Sequence, residues 1–397
     1  MELKPSLYYC GVQDPELEVF DIIMHTPYGT SYNAYLIKGK EKTALLETVK
    51  FPFFDEFRKK VDAITPIEKV DYLICNHTEP DHAGSITELL KLNPEITIVG
   101  TNSALQFLSH IVNRPFNSLA VKAGDTLDLG NRVISFHPMP NLHWPDTMFT
   151  VDETTKALFC CDYFGAHYSY APVLISKMDD KSAYFAAQHD YFRLILSPFI
   201  KPFCINGLKF AQEMKPSIIC TGHGPVLDTQ IEHTFADYEE WCRISPREKP
   251  VITVAYVSAY GYTQQLAKAI TDEIRANKNV DVHLFEVTAE NHAQVLEAIF
   301  NSDAFMLGTP TILGDALRPI FELTLDMHPI LVRGKIATAF GSYGWSGEGV
   351  PNIMGRLQQL KLKTVDGFKI RFQPSEKELD DAREYARNFV EQVLNGK

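Results

Sequence analysis

The chain has 397 residues, 45% hydrophobic and 11% aromatic, which is material for two or three packed cores and not for a disordered or collagen-like polymer. Its formal charge is -12, from 38 basic and 50 acidic residues, a balance that argues against nucleic acid or an anionic membrane surface as a partner.

In chain order, Met1 to Asp14 lacks the positive region and apolar core of a secretory leader. No stretch reaches the roughly 20 uninterrupted apolar residues that span a bilayer. Seven cysteines (Cys10, Cys75, Cys160, Cys161, Cys204, Cys220 and Cys242) are odd in number, irregularly spaced and free of any Cys-x-x-Cys. Buried reduced thiols in a cytoplasmic protein are therefore expected, rather than a disulfide framework or thiolate metal site.

Short apolar runs predict strands at Val19 to Met24, Ala34 to Ile37, Thr43 to Leu46, Tyr72 to Cys75, Ile96 to Val99, Val133 to Phe136, Met148 to Val151, Ala157 to Cys161 and Ile218 to Cys220. Helices are expected at 52–63, 84–91, 103–111 and 182–195. This mixture predicts a layered α/β sandwich. Near residue 248 the style changes. Ser245-Pro246-Arg247-Glu248-Lys249-Pro250 is polar, carries two prolines and reads as a linker between domains at 1–248 and 249–397. The second half alternates regularly, with strands at 251–257, 280–287, 303–308, 335–341 and 364–372. Its helices are expected at 263–276, 291–300, 316–326, 348–362 and 375–395. The last opens with a Ser375/Glu378 capping box. A doubly wound parallel sheet is the natural packing.

Asn76-His77-Thr78-Glu79-Pro80-Asp81-His82 puts four potential ligands into six residues directly after a strand, where Pro80 fixes the backbone dihedral. A lone His-x-Glu would read as a solvated loop. Here His143, Asp162 and His223 also follow strands, and strand ends are where α/β sheets place their sites. In the second half, Ser258-Ala259-Tyr260-Gly261-Tyr262-Thr263 carries a strand through a hydroxyl-rich turn into a helix, whose positive end can hold a phosphate. There is no Gly-x-Gly-x-x-Gly and no Walker lysine. Two further loops, Thr309-Pro310-Thr311-Ile312-Leu313-Gly314 and Ser342-Tyr343-Gly344-Trp345-Ser346-Gly347, would share that edge, with Trp345 suited to stack on a flat ring.

The spacing of the first constellation is similar to the metallo-β-lactamase superfamily pattern His-x-His-x-Asp-His with later His, Asp and His, except that Glu79 stands where the second histidine belongs. With the flavodoxin-like half, the whole chain resembles the flavodiiron proteins. The resemblance implies an N-terminal metallo-β-lactamase-like αββα sandwich and a C-terminal flavodoxin-like domain. It implies one iron on His77, Glu79 and His143, another on Asp81, His82 and His223, and Asp162 bridging them. Trading an imidazole for Glu79 adds a harder, negative ligand, although ligand type alone leaves zinc or manganese open. His25, Trp144 and Tyr191 match pocket positions of the family. For Trp144 and Tyr191 core packing is the competing reading, whereas His25 could give a hydrogen bond or proton to a bound intermediate. His110, His137, His167, His189 and His233 have no such context and are expected to be structural or at the surface.

FMN is the implied cofactor of the second domain. Tyr262 departs from the smaller polar residues common there, which argues against a side-chain phosphate contact and leaves its backbone N–H able to serve. The implied activity is reduction of dioxygen to water, nitric oxide to nitrous oxide, or both. Electrons would come from a separate donor such as a rubredoxin or a flavin reductase, because no Cys-x-x-Cys module follows the last helix. A head-to-tail homodimer or dimer of dimers would bring one subunit's flavin to the other's irons. Two rivals remain at this stage. One is a zinc hydrolase with a flavodoxin-like accessory domain, and the other is an electron carrier with a vestigial metal site.

Overall fold

The computed structural model describes residues 1–21, 24–243, 247–327 and 329–396, with only the backbone described at 330. It separates into two compact units, Met1–Ile244 and Ser245–Lys397. Ser245 and Pro246 of the expected linker lie outside the described residues.

The first unit is a four-layer αββα sandwich. A seven-stranded sheet runs in the order Glu2–Lys4, Leu7–Tyr9, Tyr35–Lys38, Thr43–Leu46, Tyr72–Ile74, Thr97–Gly100, Asn117–Ala120. A five-stranded sheet runs Thr126–Asp128, Val133–Pro138, Met148–Asp152, Ala157–Cys161, Ile218–Thr221. Strands buried on both faces read as continuous apolar runs, and alternate residues divide between two cores. Tyr35, Ile37, Ala44, Leu46, Ala157 and Phe159 fill the core between the sheets. Leu36 and Leu45 turn outward to the layer that includes helix Phe54–Asp62 and helix Ile86–Leu92. Leu158 and Cys160 turn to the layer of helices Ser182–Tyr191, Ile205–Met214 and Ile231–Trp241.

Several expectations change. The Val19 to Met24 run is not one strand. Val19 pairs with His25 and Phe20 with Met24, so the chain doubles back through Asp21, and residues 22 and 23 lie outside the described set. The expected helix at 84–91 runs Ile86–Leu92, and a short helix that was not expected, Pro80–Ala83, precedes it and ends at Gly84, where an added Cβ would sit 2.3 Å from the Pro80 carbonyl oxygen. The run Ser182–Met214 is 33 residues long and apolar enough to cross a membrane by length and composition, although no such segment was expected. Polar Asp190, Arg193 and Lys201 interrupt it, which is why no unbroken apolar stretch shows in the sequence. It kinks at Lys201 (φ -105, ψ 125), and its Tyr184, Tyr191, Phe192, Leu196, Cys204 and Leu208 pack into the second core. All seven cysteines are buried and free.

The second unit is a parallel sheet ordered Asp281–Glu286, Val251–Tyr256, Ala304–Gly308, Ile336–Tyr343, with Lys363–Thr364 and Phe368–Arg371 both pairing the last of these. Helices Tyr262–Ala276 and Glu376–Asn395 cover one face, and His292–Phe300, Arg318–Asp326 and Gly349–Gln359 cover the other. This is the doubly wound flavodoxin-like order, whose switch point lies between Val251–Tyr256 and Ala304–Gly308. The capping box at Ser375 and Glu378 is formed.

Candidate metal centre and cofactor loops

All seven expected ligands converge, from four separate stretches. His77 Nε2 and His143 Nε2 each lie 3.2 Å from Glu79 Oε2, and 3.5 and 3.3 Å from Asp162 Oδ2. On the other side, His82 Nε2 lies 3.0 Å from Asp162 Oδ1 and 3.5 Å from Asp81 Oδ2. His223 Nε2 lies 3.0 Å from Asp81 Oδ2 and 3.5 Å from Asp162 Oδ1. Asp162 therefore presents one oxygen to each of two sets, each made of two imidazoles and one further carboxylate. Metal–ligand bonds of about 2.1 Å place adjacent donors about 3.0 Å apart at right angles and about 3.4 Å apart at the tetrahedral angle. The observed spacings fit two cations sharing Asp162.

Local backbone chemistry explains the convergence. Glu79 caps the short helix that Pro80 opens, so Asp81 and His82 project from its first turn. Strand Ala157–Cys161 carries a register irregularity between Phe159 and Cys161, with Cys161 at φ 47, and this bulge re-aims Asp162. A Cβ at Gly222 would sit 2.8 Å from His82 Cε1 and 3.2 Å from Asp162 Oδ1, so only glycine lets the His223 loop close on the cluster. That loop is held from the first sheet's side of the unit. His223 Nδ1–H donates to the Ser31 carbonyl at 2.6 Å, and Asn33 Nδ2 donates to the Thr221 and Gly224 carbonyls.

Burial works against positive charge on His77, yet hydrogen bonds to Asp146 and Glu79 and the charge of Asp162 hold its pKa well above the usual imidazole range. His82, buried but facing Asp81 and Asp162, is pushed up to about 10, and His143 is raised by Asp162 and Glu79 against its burial. Burial would raise Glu79, but His143 and His77 bring it down to about 2. The site without metal thus holds protons where cations would sit. Metal uptake at neutral pH is expected to release up to about three protons per chain, and apparent affinity is expected to climb with pH towards 10. A pH-stat titration of metal-free protein checks this, and pH-independent binding contradicts it.

Sequence reasoning missed the residues behind the ligands. Asp146 is fully buried, and its Oδ2 accepts from His77 Nδ1 at 3.1 Å, Thr78 N at 2.8 Å and Thr78 Oγ1 at 2.9 Å. Such an acceptor fixes the imidazole's tautomer and direction. Asp146→Asn is expected to weaken one metal about 10- to 100-fold while the chain still folds, as measured by metal titration. The motif residues just before Asp146 drew attention to His143 and Trp144 only.

Of the expected pocket residues, Trp144 stands edge-on to His77 with ring centroids 5.0 Å apart, and Tyr191 lies 6.0 Å from His223. His25 is exposed on its hairpin, and none of the described hydrogen bonds or ring contacts ties it to the cluster. The histidine that is tied to it is His167, which was expected to be structural or superficial. Its ring centroid lies 5.1 Å from His223, 4.9 Å from Tyr191 and 4.3 Å from Phe20, and Nδ1 is 2.9 Å from Thr30 Oγ1. Burial, then the charge of His223, push its pKa well below the usual range. Only its surroundings in the fold reveal this, since Ala166-His167-Tyr168 shows no motif.

In the second unit the three expected loops meet at the carboxyl edge of the sheet. Thr263 Oγ1 lies 3.0 Å from Ser342 Oγ, joining the first loop to the third, and Gly349 N donates to Thr311 Oγ1 at 3.1 Å, joining the second. Ser258 Oγ accepts from Gln264 N, and Thr309 Oγ1 from Leu317 N. Gly261 (φ +80) opens the 15-residue helix Tyr262–Ala276, and none of the described residues comes within 4 Å of the position its Cβ would take. This is open space at a helix N-terminus, as a phosphate requires. Pro310, Ile312, Leu313 and Gly314 form or flank the tight Thr311–Ala316 hairpin, with Leu313 and Gly314 both left-handed. Tyr343 is clamped between Gly347 and Lys369, and Gly344 is approached closely by Phe372. Trp345 is 91% exposed and Tyr260 81%, so neither ring is packed under its own loop. Both are open to stack on a planar ligand, and the residues present fit FMN.

Family models match each half, an "ODP family beta lactamase" over residues 30–224 and a "Flavodoxin" over residues 254–385. The chain is 38% identical to the Flavo-diiron protein FprA2 of Clostridium acetobutylicum, over 99% of each chain. It is 32% identical to the anaerobic nitric oxide reductase flavorubredoxin of Salmonella paratyphi B, over 98% of this chain and 82% of that one. Among solved structures it resembles the flavodiiron protein from Giardia intestinalis, with 28% identity, a TM-score of 0.69, and 99% and 96% of the two chains covered. The zinc-hydrolase alternative finds no support among these relatives.

Proposed function

The chain belongs to the flavodiiron protein family, and on that premise we propose that it reduces dioxygen, nitric oxide or both at a pair of irons held by His77, Glu79, His143, Asp162, Asp81, His82 and His223. The observation that carries this is the division of Asp162 between two donor sets of equal composition. Iron held by these residues would supply one-electron redox chemistry, and FMN held by the three loops of the second unit would exchange electrons singly or in pairs.

The chain's own residues do the rest. Glu79 and Asp162 hold negative charge at the first set, which favours the more highly charged state of a cation there. Asp146 holds the proton of His77 Nδ1–H and so keeps Nε2 free for metal. Trp144, Tyr191 and His167 wall the site with rings and limit water. Water formation consumes protons, and we assign their entry to the partly exposed side of the cluster, at Glu79 and His143.

The electron donor is proposed to be a separate redox protein of the rubredoxin or flavin-reductase class. A second copy of the chain, head to tail, is proposed to bring flavin and irons together. The uncovered apolar side chains at the flavin loops, Tyr260, Leu313, Trp345 and Phe372, support such a contact. The test is anaerobic turnover of iron- and FMN-loaded protein, with dioxygen and nitric oxide compared under one donor. Consumption of at least one is expected. Consumption of neither, with two irons and FMN present, overturns the reading.

A further inference from the structure

Behind His82 lies a second group of buried polar atoms. A Glu47 carboxylate oxygen, a His82 ring nitrogen and Cys161 Sγ lie within 4.8 Å of one another. Glu47 is 3% exposed. Its Oε1 accepts the Asn76 N–H at 2.7 Å, while among the described residues neither Oε2 nor buried His82 Nδ1 has a hydrogen-bond partner. Glu47 and Cys161 both hold left-handed backbone, at φ 60 and φ 47, a conformation that L residues avoid unless the surroundings impose it. The segment is fixed to its target, because Thr48 N and Thr48 Oγ1 both donate to the His82 carbonyl and Glu47 N donates to the Ile74 carbonyl.

We propose that Glu47 is a positioning residue for the second metal, whose free oxygen accepts the Nδ1–H of His82 and so holds His82 as an Nε2 ligand. The proposal rests on the two-metal reading above. An imidazole that gives Nε2 to a cation keeps its proton on Nδ1, and that N–H needs an acceptor. His77 has Asp146 and His223 has the Ser31 carbonyl. His82 Nε2 is turned towards Asp162 and Asp81, which leaves Nδ1 for the Glu47 side. Cys161 Sγ, the remaining polar atom of the group, is at most a weak acceptor. A carboxyl group keeps an acceptor lone pair in either protonation state. A side chain at left-handed φ, where glycine or asparagine would be easier, is then retained for what its oxygens do.

The test is zinc titration of metal-free, full-length protein, because zinc is redox-silent and the result is independent of turnover. Glu47→Gln keeps an oxygen for the Asn76 N–H but turns an amide N–H towards His82. The wild type is expected to take two equivalents. In the variant one equivalent is unchanged and the other, identified as the one lost in His223→Ala, binds about 10- to 100-fold more weakly. Unchanged affinity for both, equal weakening of both, or a third equivalent bound in the wild type overturns the proposal. A wild type that fails to take two equivalents would instead overturn the two-metal reading. Should Glu47→Gln fold poorly, ¹⁵N NMR of zinc-loaded wild type decides. A slowly exchanging proton on His82 Nδ1 is expected, and a bare or freely exchanging Nδ1 contradicts the proposal.

Discussion

Asp162→Ala is expected to leave at most one iron per chain and to lower the reduction rate by more than a hundredfold. Its two oxygens touch every histidine of the cluster, with His77 and His143 at Oδ2 and His82 and His223 at Oδ1. Losing an acceptor behind a ligand costs about 10- to 100-fold in affinity, and losing the shared ligand itself must cost more. The metal-free fold should suffer too. Removing one member of a buried charge cluster leaves the others uncompensated, at about 3–5 kcal/mol. Burial would raise the pKa of Asp162, but His82, His143 and His77 hold it well below its ordinary 3.8. A carboxyl group with a lowered folded pKa contributes stability that is complete above its unfolded pKa and fades as pH falls below it. Metal-free wild type and variant should therefore differ most near neutral pH and converge in acid. Iron analysis and urea denaturation at several pH values check both parts, and a variant that keeps two irons contradicts the assignment of Asp162.

Gly261→Asp is expected to separate electron entry from the metal site. Aspartate tolerates the left-handed backbone there better than most residues, and among the described residues nothing crowds its Cβ, so the second unit should fold. The new carboxylate would stand where a doubly charged phosphate must dock. Like charges about 6 Å apart near a surface repel by about 3 kcal/mol, so FMN should bind about a hundredfold more weakly. Donor-driven turnover should fall in proportion at limiting FMN and recover at high FMN, while iron content stays at wild-type level. Unchanged FMN affinity would place the phosphate elsewhere.

The regular half of the chain was legible because its signals are local. The central strands Val251–Tyr256, Ala304–Gly308 and Ile336–Tyr343 are buried almost throughout, the helices carry periodic apolar stripes, and the final helix announces itself through Ser375 and Glu378. The ligands were legible because a strand must end where the sheet places its site, and His77 to His82, His143, Asp162 and His223 each follow one. The opening strands Glu2–Lys4, Leu7–Tyr9, Val12–Asp14 and Thr30–Tyr32 were not, because three residues carry no periodicity. Asn117–Ala120 is exposed throughout, an edge strand with no apolar face to betray it. Helix Ile231–Trp241 buries only Thr234, Phe235 and Tyr238, too few for a stripe. Asp146, Glu47 and His167 were invisible for another reason. Their importance lies in partners 29 to 137 positions away, such as Asn76, His77 and Thr30, which only the fold brings together.

The central claim is a pair of redox-active irons sharing Asp162. The most direct measurement is metal analysis of natively purified protein combined with Mössbauer spectroscopy, before and after reduction through its FMN. Close to two irons per chain, magnetically coupled when oxidised and both ferrous when reduced, is the predicted result. Zinc or another redox-silent ion at stoichiometric level, or iron centres that do not change state when the flavin is reduced, would contradict it.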